Sequence, residues 1–261
     1  MTSSAARTAA APDWAVEEHG TGRGTTTHVL VHGIGASARY FRPLARSLAR
    51  PPAGAPGSGG LVLVPDLPGF GRSPRADHAP TIAKLADGLV EQLAARGVDR
   101  AVLVGHSMGA QVVTEVARRH PAVAERVVLL GPVVESDARS AVAQAVRLVR
   151  DTPHEPLRAN AIVFSDYARA GVRWYARQLP HMLGFPTETA VAAVRCPVLV
   201  VRGEQDRVAS DGWVERLARI APDGRAVVVP GAAHVVQYSH PDVVAELCRG
   251  GSPAGVRWVG P

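Results

Sequence analysis

The sequence predicts an α/β fold, a mostly parallel sheet flanked by helices on both faces. Three observations predict it. Short apolar runs rich in Val and Leu recur at Thr27–Val31, Leu61–Val64, Val102–Val104, Arg126–Leu130, Pro197–Val201 and Arg225–Val229. They are continuous rather than alternating, which marks strands buried on both faces. Stretches with helical spacing separate them, as the crossovers of a parallel sheet require. The run at Val102 also leads without a break into Gly105-His106-Ser107-Met108-Gly109 and a helical stretch from Ala110 to His120.

Taken in order, Trp14 to His19 alternates weakly and ends in Gly20-Thr-Gly-Arg-Gly24, the pattern of a first hairpin. Thr27–Val31 is a buried strand closed by His32-Gly33. Tyr40 to Arg50 has helical spacing through Phe41, Leu44 and Leu48, with Pro43 in its first turn. Arg50 to Gly60 is a Pro/Gly/Ala/Ser tract, a surface loop. After the strand at Leu61 comes Asp66-Leu-Pro-Gly-Phe-Gly-Arg-Ser73, then a helix over Thr81 to Arg96 with Ile82, Leu85, Leu89 and Leu93 on one face. Asp211 to Ile220 and Pro241 to Arg249 complete the helices of the alternating pattern. The interval Val133 to Arg195 breaks it. It is helical throughout, with amphipathic stretches at Ala141–Val149, Ala161–Ala170 and Trp174–Leu183, and reads as a cap between two sheet strands. The expected domains are a core of residues 13–132 and 195–250, a cap of 133–194, and flexible tails at 1–12 and 251–261.

Composition narrows the function. Hydrophobic residues make up 46% and charged residues 20%, enough to bury a core. No run of about 18 apolar residues occurs, so no transmembrane helix is expected. Met1 to Pro12 lacks the apolar stretch of a signal peptide, which makes a cytoplasmic location the default. The net charge is +6, but the arginines are scattered rather than gathered in one stripe, so nucleic acid is not an expected partner. Cys196 and Cys248 stand far apart and form neither a disulfide framework nor a zinc site. The expected partner is a small-molecule substrate, with no membrane, no cofactor and no metal.

The chemistry centres on Ser107. A tight turn between strand and helix pushes its hydroxyl out above the sheet, and Gly105 and Gly109 let the two elements approach closely. Serine is a weak nucleophile and needs a base, an orienting acid and an oxyanion hole. His234, in Pro230-Gly-Ala-Ala-His234 just after a strand, suits the base. Asp206, in Arg202-Gly-Glu-Gln-Asp206, suits the acid. Glu204 and Asp211 are its neighbours, and Glu135 and Asp137 lie after another strand from which an acid can also reach the imidazole. The backbone amides of Met108 and Ile34 are the expected oxyanion donors, the latter from the turn His32-Gly33-Ile34-Gly35-Ala36-Ser37.

Gly105-His-Ser-Met-Gly109, His32-Gly-Ile-Gly-Ala-Ser37, Asp66-Leu-Pro-Gly-Phe-Gly-Arg-Ser73 and the Asp206 and His234 loops together resemble the α/β-hydrolase fold superfamily, in its capped serine-hydrolase branch. The order Ser107, Asp206, His234 is that of the superfamily. The resemblance runs from about Trp14 to Arg249. It implies an eight-stranded, mostly parallel sheet with a helical cap inserted after the sixth strand, and a structural rather than catalytic role for the Asp66 segment. A serine in place of aspartate separates the chain from haloalkane dehalogenases and epoxide hydrolases. The absence of His-Gly-Gly-Gly and His-Gly-Gly-Pro-Gly separates it from hormone-sensitive-lipase-like enzymes and proline iminopeptidases. The nucleophile motif is also similar to that of type II thioesterases, whose oxyanion segment usually reads differently.

The leading expectation is a serine hydrolase acting on a carboxylic ester, lactone or thioester. The alternatives are non-ester chemistry with the same residues, such as C–C bond hydrolysis, a lyase reaction or natural-product tailoring, and a ligand-binding protein on this fold. His32, His106, Phe164, Trp174, Tyr175 and Met182 are candidates to line the pocket, together with Tyr167, His181 and Phe185.

Overall fold

The computed structural model describes residues 13–20, 26–51, 59–135 and 155–259. Expectations for the tail 1–12, residues 52–58 of the Pro/Gly tract, the stretch Ala141–Val149 and Asp137 lie outside the described residues. The core is an eight-stranded sheet in the order β1-β3-β2-β4-β5-β6-β7-β8. Its strands are β1 (Val16–His19), β2 (His28–Val31), β3 (Val62–Pro65), β4 (Ala101–His106), β5 (Ala124–Leu130), β6 (Val198–Gly203), β7 (Gly224–Val229) and β8 (Arg257–Val259). The pairs from β3 to β7 are parallel, while β1 and β8 run antiparallel at the two edges.

Side-chain alternation divides the core into two layers. Val29, Val31, Leu63, Leu103, Val127, Leu129 and Val200 face one layer. Leu30, Val62, Val64, Val102, Val104, Val128, Leu130 and Val201 face the other. Both faces are buried, so the strands read as unbroken apolar runs. The first layer is closed by α2 (Ile82–Ala94), α3 (Met108–Arg119) and α7 (Asp211–Ile220). The second is closed by α1 (Arg42–Ala49), α8 (Val236–Ser239) and α9 (Pro241–Cys248). Thr81 and Ser210 start α2 and α7 by accepting the amides of Lys84 and Trp213. Pro43 sits in the first turn of α1, where its missing N–H costs nothing.

Three expectations change. The N-terminal segment does not form a hairpin: β1 pairs with β3, more than forty residues on, while β2 is enclosed by β3 and β4. The half-exposed β1 suits an edge, and the fully buried β2 does not. With one strand in place of a hairpin's two, the helical insertion follows the fifth strand rather than the sixth. The segment expected as a flexible tail supplies β8, which brings the total back to eight. A three-residue strand is too short to show a periodic pattern, so its pairing with β7 decides it.

The insertion between β5 and β6 contains α4 (Leu157–Ala170), α5 (Val172–Leu183) and α6 (Thr187–Ala192). Gly171, at φ 74°, separates the first two. Among the described residues, no helix is long and apolar enough to cross a membrane.

His28 sits in the sheet at 3% exposure. Burial, with Arg249 and Arg126 adding to it, pushes its pKa down to about 4. Below pH 6.5 the unfolded chain takes a proton that the folded chain refuses until about pH 4, so stability falls as pH drops through that window. A displacement of this size is worth about 3 kcal/mol. His32 and His106, also lowered by burial, act in the same direction. The melting temperature of the wild type is expected to fall between pH 6.5 and 4, and a His28→Leu variant to show a shallower fall; equal slopes would place the proton uptake elsewhere.

Candidate active site

Gly33, in the turn after β2, lies against Ser107 at the end of β4, and the loops after β6 and β7 carry Asp206 and His234. Ser107 stands between β4 and α3 at φ 56°, ψ −121°, and shares positive φ with only Val134 among the described non-glycine residues. The turn is this tight because two glycines permit it. A Cβ on Gly105 would fall 2.2 Å from the Gly109 carbonyl oxygen, and one on Gly109 would fall 2.0 Å from that of Val31. The Ser107 amide donates to Leu130 O at 3.0 Å, fixing the turn to β5.

Asp206 and His234 meet at the ends of β6 and β7. His234 Nδ1 lies 3.0 Å from Asp206 Oδ2. The other carboxylate oxygen accepts the amides of Val208 at 2.7 Å and Ala209 at 2.9 Å. Burial alone would raise the Asp206 pKa; the charge and hydrogen bond of His234 and these two amides outweigh it and hold the carboxyl below its usual range. Among the described residues, the other candidate acids have partners of their own. Asp211 pairs with Arg202, which also donates to the Asp206 carbonyl at 2.9 Å. Glu204 accepts the Gly231 amide, and Glu135 accepts the Ser210 hydroxyl.

The turn after β2 is fastened at both backbone polar groups of Gly33. Its N–H donates to the Tyr40 hydroxyl at 2.9 Å, and its carbonyl accepts His32 Nδ1–H at 2.8 Å and the Ala36 amide at 3.3 Å. His32 Nε2 accepts the Leu67 amide at 2.9 Å. Both ring nitrogens are thus used, and the ring is fully buried and holds the turn to the Asp66 segment. His32 therefore acts as an anchor rather than as the expected pocket lining. Asp66 accepts the amides of Ala38 at 2.7 Å and Arg72 at 2.9 Å, and its carbonyl accepts the Ser73 hydroxyl. His106 is likewise committed: Nδ1 is 2.8 Å from the Tyr40 hydroxyl and Nε2 is 3.1 Å from the His234 carbonyl oxygen. Met108 opens α3, where an amide has no acceptor within the helix.

The inserted helices pack on this turn. Asp166 of α4, 3% exposed, accepts Ser37 Oγ at 2.5 Å and pairs with Arg39 at 2.7 Å. Tyr167 and Tyr175 form an edge-to-face pair over Gly35, whose lack of a side chain leaves room for them: a Cβ there would fall 2.3 Å from the Tyr167 ring. Trp174 is buried, donates to Pro68 O at 3.1 Å and lies on Gly69. It bolts α5 to the core. Met182 is buried in the first core layer, and its carbonyl accepts Gln111 Nε2. Phe164 is 55% exposed and turns to solvent, because the helix repeat puts it opposite the buried Ala159, Asp166 and Ala170. His181 and Phe185 border a cleft of about 540 Å³ with Glu115 and Arg118, beside α3.

Three neighbours of the site carry no motif. Gly131, at φ 48°, lies against the imidazole, and a Cβ on it would meet His234 Cε1 and Nδ1 at 2.8 Å. Glu155 accepts the Val235 amide next to His234. Tyr40 looks in the sequence like one more apolar position of a helix; its hydroxyl partners become visible only in three dimensions.

Comparison with known proteins identifies the family. The family model described as the alpha/beta hydrolase family matches residues 29–247. A 2-(acetamidomethylene)succinate hydrolase of Mesorhizobium japonicum is 28% identical over 256 residues, covering 87% of each chain. An Escherichia coli esterase is 27% identical, covering 85% of this chain and 91% of its own. Among solved structures, a thermophilic esterase from Thermogutta terrifontis superposes with a TM-score of 0.74 at 25% identity, covering 91% of this chain and 92% of its own. The match spans the sheet from β2 to α9 and includes Ser107, Asp206 and His234; the chain belongs to the alpha/beta hydrolase family.

Proposed function

We propose that this chain is a serine hydrolase that cleaves a carboxylic ester, lactone or thioester of a small molecule. One observation carries the reading: a serine in strained backbone at the head of a helix, with a buried Asp206–His234 pair on neighbouring strand ends. In this reading His234 takes the Ser107 proton as Oγ attacks the substrate carbonyl, and the carbonyl oxygen becomes an oxyanion. The amides of Ile34 and Met108 stabilise that charge, each worth about 10²–10³ in rate. His234 then protonates the leaving alcohol or thiol, the acyl group stays on Ser107, and a water activated by the same imidazole releases the acid. Asp206 fixes the tautomer of His234 and stabilises its cation.

Two relatives carry names that fit this chemistry, the Escherichia coli esterase and a pimeloyl-[acyl-carrier protein] methyl ester esterase of Aromatoleum aromaticum at 29% identity. The Tyr167–Tyr175 pair above Gly35 favours an acyl group with apolar surface, since aromatic rings contribute mainly by burial and shape.

Ser107→Ala is expected to abolish fluorophosphonate labelling and ester turnover with little change in the melt, because no core group is lost; stoichiometric labelling of the variant would place the nucleophile elsewhere. Asp206→Asn is expected to lower kcat on the order of 10⁴, and Glu135→Gln to stay near wild type; the reverse ranking would reassign the acid. Gly131→Ala is expected to cost roughly 10² in kcat by displacing the imidazole, measured on the same ester; wild-type turnover would show that the ring tolerates the methyl group. Across p-nitrophenyl esters of increasing acyl length, Tyr175→Ala is expected to change the relative rates and Phe164→Ala to leave them alone, and matching profiles for the two would remove Tyr175 from the pocket.

A further inference from the structure

A chain of hydrogen bonds runs behind Ser107 and joins three loops. It starts at the Gly33 N–H in the turn after β2, passes through the Tyr40 hydroxyl and the His106 ring, and ends at the His234 carbonyl after β7. Tyr40 is 1% exposed and His106 4% exposed. The direction of every bond is fixed by chemistry. An amide can only donate and a carbonyl can only accept. His106 Nε2 must therefore carry its proton to donate to His234 O, and the Gly33 N–H must donate to Tyr40 Oη. The hydroxyl has one proton, which it gives to His106 Nδ1. That assignment requires a neutral imidazole, and burial, reinforced by the nearby His234 and His32, disfavours the charged one.

The two ends of this chain are the places where position matters. Gly33 is gripped at its N–H by Tyr40 and at its carbonyl by His32 and Ala36. A trans peptide points the next N–H away from the preceding carbonyl, so these grips aim the Ile34 amide. A Cβ on Gly33 would fall 2.9 Å from Ser107 Cβ and 3.3 Å from Oγ, which puts the turn directly against the serine. At the other end, the His234 backbone is held by His106 while its ring is held by Asp206. The His106 and His234 rings lie 4.6 Å apart, so the clamp is local to the imidazole.

We propose that Tyr40 and His106 are positioning residues, a neutral two-residue strut that holds the Ile34 amide and the His234 imidazole at a fixed separation from one another. The inference rests on the proposed serine-hydrolase reading. Tyr40→Phe breaks the bonds to Gly33 and His106, His106→Leu breaks those to Tyr40 and His234, and each keeps most of the volume. Each is expected to lower kcat about 10- to 100-fold with KM changed by less than about threefold, as a small misplacement of reacting groups does. The double variant is expected to lose no more than the worse single one, because one missing link already breaks the strut. His106→Gln restores an acceptor and a donor on one side chain and is expected to recover most of the lost kcat. Tyr40→Phe with wild-type kcat and a lowered melting temperature would overturn the proposal, as would losses that multiply in the double variant or a His106→Gln variant no better than His106→Leu. Fluorophosphonate labelling of the wild type separates the two levels. A wild type that neither labels nor turns over ester overturns the hydrolase reading and the strut's role with it, whereas a labelling, active wild type leaves the variants to judge the strut alone.

Discussion

The height at which Ser107 stands is set by a contact between backbones. Gly109 lets α3 descend until its first turn touches the Val31 carbonyl of β2, and Gly105 lets β4 pass under that turn. Any side chain at either place would lift the helix by more than an ångström. The Gly33 turn could then no longer lie against the serine, and Met108 N–H would be raised away from the site. The three loops around Ser107 are thus arranged around a contact that contains no side chain at all.

The turn after β2 is held from two directions. From below, His32, Tyr40 and Asp66 fasten it to the core through hydrogen bonds that are all buried. From above, Asp166 reaches down from α4 to Ser37 and Arg39, and Tyr167 and Tyr175 rest on Gly35. The glycines here serve the insertion as much as the turn, since Gly35 and Gly69 receive aromatic rings of α4 and α5 that a methyl group would exclude. A charged group as buried as Asp166 is tolerable because Arg39 and Ser37 satisfy its oxygens.

What could be read from the sequence was what is local in the chain. The Gly105–Gly109 turn, the continuous strands and the start of α2 at Thr81 each follow from residues within one turn or one strand of each other. The choice among five acids was less local. Position after a strand left Asp206 and Glu135 both open, and the structure separates them by partners: Asp206 faces His234 while Glu135 holds Ser210. The edges of the sheet were illegible for the same reason. β1 pairs with β3 across a distance in sequence that no pattern encodes, and β8 is three residues long. His32 and His106 looked like pocket residues because histidines near a nucleophile usually suggest chemistry, yet each has both nitrogens spent on structure. Phe164 looked like lining because it is aromatic, and the helix repeat turned it outward.

The backbone of Ser107 has a consequence for how such a site persists. A residue other than glycine in this conformation carries strain on the order of 1–3 kcal/mol, a sizeable share of the roughly 5–15 kcal/mol that holds a domain folded. A glycine at this position would relax the turn and remove the hydroxyl in the same step. Stability and chemistry therefore pull in opposite directions at one atom. Selection for a durable fold alone would drift the position toward glycine, and a serine is retained there only while something is gained from its oxygen.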